Sequence, residues 1–181
     1  MTDRPGHVRI WTGDADLSST EARNVLVRRE RHHVYTARMK LDFRPERNGE
    51  QAGLICYYDS RCYIKLCLIY ENGLKLKVQG NRAREPFTIA ERGVKQEDGI
   101  YLRVDVDHEA RRFFYSPDGL AWMEAGVVQD ARFLSDEGTR EKKAFTGTMV
   151  GFYANNGGSG RRIPADIDWF AYEGQAGDAP G

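Results

Sequence analysis

Apolar residues recur at every second position along several stretches of the chain. In residues 35–43, apolar side chains alternate with Thr, Arg, Lys and Asp, and residues 74–78, 100–106 and 148–153 repeat the alternation. A period of two places the apolar side chains of a strand on one face. These stretches therefore predict β-strands that are buried on one side and exposed on the other.

Residues 52–58 and 62–70 are apolar almost without interruption. Continuous apolar runs of this length are typical of strands covered on both faces, so we expect them at the centre of a two-layer structure. Turn sequences such as Asn48-Gly49 and Asn72-Gly73 separate the runs. Short strands at regular spacing, with no convincing long helix, predict an all-β, two-sheet antiparallel sandwich or a barrel.

The length of 181 residues suits one domain with a sizeable core. No repeat or interdomain linker interrupts the pattern, so we predict a single domain over residues 1–173. The Gly-, Ala- and Pro-rich residues 174–181 are predicted to form a disordered tail.

Charge and composition exclude several classes of function. The 27 basic and 27 acidic residues balance, which argues against a nucleic-acid partner. No apolar run approaches the roughly 20 residues of a membrane span, and the first residues contain no apolar signal core. We therefore expect a cytoplasmic protein with no membrane partner. The three cysteines, Cys56, Cys62 and Cys67, match no C-x-x-C pattern and are interpreted as buried free thiols.

Asp166 and Asp168 lie two positions apart on a predicted strand and therefore point to the same face. Glycosidases use paired carboxylates, but a polar strand face with Ile167 and Trp169 packed inside explains the same pattern. We predict no catalytic residue in this chain. The alternative role for Asp168 is that of a metal ligand for a structural calcium ion, although calcium takes six to eight oxygens and the sequence offers one or two.

Aromatic residues are numerous, with nine Tyr, eight Phe and three Trp. Aromatic planes can cover the apolar C–H face of a sugar ring while polar groups at the edge bind its hydroxyls. Ordinary core and cross-strand packing is the competing explanation, and the residues alone favour it. The candidates for such a platform are Tyr57, Tyr58, Tyr63, Tyr70 and Trp122.

Several short motifs follow one another in an order that is specific although no single motif is decisive. They are similar to the C-terminal β-sandwich of family 43 glycoside hydrolases of the β-xylosidase and α-arabinofuranosidase type. Asp59 departs from the family, in which an asparagine commonly follows the double tyrosine. The motifs are Leu41-Asp42-Phe43-Arg44-Pro45, Ala52-Gly53-Leu54, Tyr57-Tyr58, Tyr115-Ser116-Pro117-Asp118-Gly119-Leu120-Ala121-Trp122, Phe145-Thr146-Gly147 and Ala165-Asp166-Ile167-Asp168-Trp169-Phe170.

The resemblance implies a concanavalin-like jelly roll that packs against a catalytic five-bladed propeller, in the same chain or as a separate one. The propeller carries the family's three catalytic carboxylates, so this chain would hydrolyse nothing alone. Phe145, with Thr146 beside it, would help to wall the propeller's sugar subsite and contact a xylo- or arabino-oligosaccharide.

Two other functions remain open at this point. A free-standing carbohydrate-binding module would use exposed aromatic side chains, for which Tyr58 and Trp122 are the candidates. A structural domain would instead hold a homo-oligomer together.

Overall fold

A computed structural model describes residues 6–136 and 147–175. Within these ranges the chain forms twelve β-strands and one short 3-10 helix at Arg132–Leu134. The strands are β1 (Val8–Trp11), β2 (Val25–Arg29), β3 (Val34–Phe43), β4 (Gln51–Asp59), β5 (Cys62–Tyr70), β6 (Leu74–Arg82), β7 (Glu85–Gly93), β8 (Ile100–Asp107), β9 (Ala110–Ser116), β10 (Met123–Val128), β11 (Met149–Asn155) and β12 (Pro164–Gly174).

The strands form two sheets of six. The first sheet has the order β1-β12-β3-β8-β9-β10, and the second has the order β2-β11-β4-β5-β6-β7. Every neighbouring pair in both sheets is antiparallel. Apolar side chains from both sheets meet in one large core between them. The predicted all-β, two-sheet sandwich is confirmed.

The alternating stretches behave as predicted. On β3, every apolar residue from Tyr35 to Phe43 is buried, while the polar residues between them are partly exposed. Its neighbour β8 shows the same alternation, with Leu102 and Val104 buried in the same core. The hydrophobic effect is the physical reason, since a strand with one apolar face can bury that face by packing onto the other sheet.

Strands β4 and β5 occupy the centre of the second sheet and are buried on both faces, also as predicted. One face contributes Leu54 and Leu66 to the main core. The other face contributes Ile55 and Cys67 to a second cluster, which Leu17 completes from the connection between β1 and β2. We call this connection, residues 12–24, the covering segment.

Two features of the strands were not anticipated from the sequence. Strand β7 is mostly exposed and carries Pro86 at its second position, which a strand tolerates at the edge of a sheet because proline donates no hydrogen bond. Strand β12 contains a bulge at Asp168, since Ile167 pairs with Leu41 whereas Trp169 already pairs with Lys40.

The bulge overturns the expectation that Trp169 packs inside the sandwich. One extra residue at a bulge shifts the alternation of side chains by one position. Trp169 is consequently 38% exposed on the outer face, and Phe170 instead packs against the core.

The sandwich continues two residues beyond the predicted boundary. Gly174 is the last residue of β12, and the N–H of Gln175 donates to the carbonyl of Val34. Residues 176–181, the remainder of the predicted tail, lie outside the described residues. None of the described residues belongs to a helix long and apolar enough to cross a membrane.

Candidate functional site

Two of the site residues predicted from the sequence, Phe145 and Thr146, belong to residues 137–146, which lie outside the described residues. The sandwich fixes the chain on both sides of this segment. On the N-terminal side, the Tyr58 hydroxyl donates to Oδ1 of Asp136. On the C-terminal side, Oγ1 of Thr148 donates to the carbonyl of Leu134 at 2.6 Å. The two flanks are therefore joined directly, at the 3-10 helix whose last residue, Leu134, is buried in the main core.

A buried polar cluster holds the C-terminal flank in place. The N–H of Glu30 donates to the carbonyl of Thr148 at 3.0 Å, and the Glu30 carboxylate accepts from the Tyr35 hydroxyl at 2.7 Å. The same carboxylate lies 3.2 Å from Nη2 of Arg111, whose side chain is also buried. A carboxylate with a hydrogen bond and a buried cationic partner keeps a defined position. Sequence reasoning missed this cluster, because its members are far apart along the chain.

Cys56 lies beside the same cluster and is fully buried. Burial raises the pKa of the Cys56 thiol to about 12, with the guanidinium of Arg111 acting in the opposite direction. The thiol is therefore protonated at neutral pH and is a poor nucleophile. All three cysteines are free and buried, in agreement with the interpretation from the sequence.

Tyr58 lies in the main core and is 1% exposed, so neither face of its ring is open. Its neighbour Tyr57 points to the opposite face of the second sheet, where its ring is stacked on Tyr63 with 6.4 Å between centroids. Residues that alternate along one strand cannot share a surface. Tyr57 and Tyr58 therefore do not form one aromatic platform.

Trp122 lies between β9 and β10, at the first sheet. The guanidinium of Arg103 is 5.1 Å from the centre of the Trp122 ring and 4.4 Å from that of Phe114. The structure thus places Trp122 and Tyr58 at different sheets and does not bring them together. Contact of either residue with a sugar stays a prediction.

Asp166 and Asp168 are each bound by cations. Arg9 donates to both oxygens of Asp166, from Nε at 2.7 Å and from Nη2 at 2.8 Å. Asp168 lies 3.5 Å from Nε2 of His7 and 3.5 Å from Nζ of Lys40. A bidentate arginine of this kind holds the Asp166 carboxylate in a defined position.

The described surroundings of Asp168 do not fit a calcium ion. Its neighbours Lys40 and His7 offer nitrogen atoms, whereas calcium takes six to eight oxygen ligands. Within residues 6–136 and 147–175, no group of three or more His, Cys, Asp or Glu side chains is arranged to hold a metal.

Comparison with known proteins gives a consistent result. A family model described as the β-xylosidase C-terminal concanavalin A-like domain matches residues 1–173. A putative β-xylosidase of Escherichia coli is 32% identical over 180 residues, which are 96% of this chain and 33% of that protein. The β-xylosidase of Bacillus subtilis is 29% identical over 181 residues, with the same 96% and 33% coverage.

Among solved structures, the GH43 protein BlXynB of Bacillus licheniformis superposes with a TM-score of 0.92 at 50% identity. The match covers 96% of this chain and 34% of that one. The chain thus spans about one third of the length of the relatives that it matches. The family model covers nearly the whole sequence and the fold agrees with it, so this chain belongs to the family of β-xylosidase C-terminal concanavalin A-like domains.

Proposed function

We propose that this chain is the accessory domain of a β-xylosidase or α-arabinofuranosidase of glycoside hydrolase family 43. In this role it packs against a catalytic propeller, in the same chain or as a separate one, and completes the propeller's sugar subsite. One observation carries the proposal. Nearly the whole of this chain matches only one third of each relative, and the family model that it matches describes a C-terminal domain.

The arrangement around residues 137–146 supports a positional mechanism. Leu134 and Asp136 on one side, and Thr148 on the other, are tied to the sandwich by hydrogen bonds. We assign the contact with the sugar to Phe145, with Thr146 beside it. An aromatic side chain at the wall of a pocket excludes water and covers the apolar face of a sugar ring. Rigid support of such a wall contributes to catalysis by fixing the geometry of the substrate.

Two of the relatives are named as β-xylosidases, so we infer a xylo-oligosaccharide as the substrate of the assembled enzyme, with an arabino-oligosaccharide as the alternative. The chain itself contributes support and one wall of the subsite rather than a proton donor or a nucleophile. In this scheme its carboxylates Asp166 and Asp168 keep their ion pairs.

The test is a reconstitution. The catalytic part of the Bacillus licheniformis relative would be produced without its own C-terminal domain and mixed with this chain. We expect a complex on size-exclusion chromatography and an increase in kcat/KM for nitrophenyl xyloside. The Phe145→Ala variant should still form the complex but lose most of the increase, because the sugar loses an apolar wall of its subsite.

Leu120→Ala provides the matched control, since Leu120 is 85% exposed in the turn before β10 and should change neither binding nor rate. The absence of both complex and activation in the wild type would refute the accessory role. If Phe145→Ala forms the complex and raises kcat/KM as much as the wild type does, the supporting role stands and the contact of Phe145 with the sugar is refuted.

A further inference from the structure

An open groove lies on the outer face of the second sheet, between the covering segment and strands β5 to β7. Its volume is about 600 Å³, which lies within the roughly 300 to 1,000 Å³ of typical small-molecule sites. Asp16 and Ser18 of the covering segment form one side. Tyr63 and Lys65 on β5, with Gln79 on β6, form the floor.

The charges in the floor are neutralised and held in fixed positions. Lys65 is only 5% exposed, and its Nζ donates to Oε1 of Gln51 at 2.9 Å and lies 3.4 Å from Oδ1 of Asp16. Gln51 Oε1 also accepts from the Tyr153 hydroxyl at 2.6 Å. The Lys65–Asp16 pair therefore adds no net charge to the site. Arg84, which is exposed, also lines the groove, and its guanidinium can donate hydrogen bonds to ligand hydroxyl groups.

Asn81 supplies a hydrogen-bonding atom that the described residues leave unused. Its side chain lines the groove and is only 8% exposed, and Oδ1 has no hydrogen-bond partner in residues 6–136 and 147–175. Its Nδ2 makes a long contact of 3.4 Å to the Tyr63 hydroxyl. A buried acceptor without a donor is costly, so a ligand that donates a hydrogen bond there is favoured.

Apolar surface lies next to these polar groups. Pro86 on β7 lies beside Asn81, its partner on β6, and lines the groove, whereas the ring of Phe87 packs into the main core. The amide of Gln79 donates to Sγ of Cys67, a weak acceptor, with 3.5 Å between Nε2 and Sγ. A ligand that carries both hydroxyl groups and an apolar ring face matches a site that combines amide groups with an exposed proline ring.

We propose that this groove binds a neutral, short oligosaccharide, whose hydroxyl groups pair with Asn81, Gln79 and the Lys65–Asp16 pair. Pro86, which is exposed, covers an apolar face of one sugar ring. This site goes beyond the proposed accessory function, since it needs no propeller and uses none of residues 137–146.

The test is a titration of the intact 181-residue chain with xylotriose and with arabinotriose, followed by calorimetry and by amide chemical shifts. We expect the chain to bind at least one of the two sugars. The changes in amide chemical shift should be largest on β5, β6 and the covering segment. Gln79→Ala and Asn81→Ala should each weaken the affinity by about tenfold, the effect of removing one ligand hydrogen bond from a partly buried site.

Leu120→Ala, on the exposed turn before β10, is the matched control and should bind as the wild type does. Thermal unfolding of each variant checks that it is folded, and half-buried Gln79 keeps the test available if Asn81→Ala fails to fold. Three results would overturn the proposal: no binding by the wild type at millimolar sugar, shifts that concentrate around Trp122 and Trp169 instead, or tighter binding of inorganic phosphate than of either sugar.

Discussion

The outer faces of the two sheets have opposite characters. On the first sheet, which we call the open face, Trp169 is 38% exposed and lies 6.1 Å from the ring of Tyr101, measured between centroids. On the second sheet, which we call the covered face, the covering segment places Leu17 over Ile55 and Tyr153 and builds a second apolar cluster.

The difference shows how a sandwich can turn one outer face into a rigid site. On the open face, cations such as Arg103 lie against aromatic rings and remain partly in water, an arrangement that contributes little to stability. On the covered face, the same kinds of group are buried and have fixed partners, as Lys65 and Gln51 do. Fixed and dehydrated polar groups are better suited to selecting a ligand than mobile ones.

The largest effect should follow from loosening the covering segment. Leu17 is 1% exposed, so Leu17→Ala should lower the free energy of unfolding by about 3 kcal/mol through lost burial and the cavity it leaves. Urea unfolding followed by fluorescence measures this change. The exposed Leu120→Ala should stay within about 0.5 kcal/mol of the wild type. Equal losses in the two variants would show that the covering segment does not form a packed face.

A buried carboxylate next to the covered face should give a pH-dependent effect. Glu50 is fully buried immediately before β4. Burial acts to raise its pKa, but hydrogen bonds from the backbone N–H groups of Glu46 and Arg47 and from Ser159, together with the charge of Arg161, hold the pKa below its ordinary value of 4.5.

Because that pKa is lower in the folded state, the stabilisation is fully present above pH 4.5 and is lost as the pH falls through the folded pKa. Glu50→Gln should therefore cost about 2 kcal/mol of unfolding free energy at pH 7 and less at acidic pH. Denaturant unfolding at several pH values measures it. Glu173→Gln on the open face should cost under about 1 kcal/mol at any pH, because its ion pair with Arg38 is exposed. A pH-independent cost for Glu50→Gln would contradict this account.

Removal of a tyrosine hydroxyl should have different effects on the two faces. Tyr153→Phe removes a buried hydroxyl that donates to Gln51 at 2.6 Å, which should lower the free energy of unfolding by about 1 kcal/mol. Tyr101→Phe on the open face should change it by less than about 0.5 kcal/mol. Thermal and urea unfolding of the two variants measure these changes. A larger loss of unfolding free energy for Tyr101→Phe than for Tyr153→Phe would contradict the description of the second sheet as the covered face.

The smallest effect is expected from calcium. Asp168 on the open face has Lys40 and His7 as neighbours, and its described surroundings do not fit the ion. Addition of millimolar calcium, or its removal with EDTA, should shift the unfolding temperature by less than about 1 °C, because a ligand that does not bind the folded state cannot stabilise it. A rise of several degrees that Asp168→Asn abolishes would establish the metal site after all.

Much of the sandwich could be predicted because its signals are local. Alternating apolar residues indicate a strand buried on one face, as in β3 and β8. Continuous apolar runs indicate a strand buried on both faces, as in β4 and β5. Edge strand β7 was missed for the same reason, since an exposed strand has no apolar pattern to reveal it. The bulge at Asp168 was missed because one added residue leaves the pattern looking regular up to the point where the register shifts.

The amino-acid sequence was enough to predict the fold class, the inward faces of the regular strands and, through its motifs, the family. Three features became visible only in the folded chain. Tyr58 is buried and lies at a different sheet from Trp122, Trp169 faces outward, and Lys65 and Asn81 lie with the covering segment in one groove. The physical reason is sequence separation. The alternation of buried and exposed residues can be recognised within a single strand. The residues of a site, in contrast, are far apart along the chain, and the packing of the two sheets and their connections decides whether they come together.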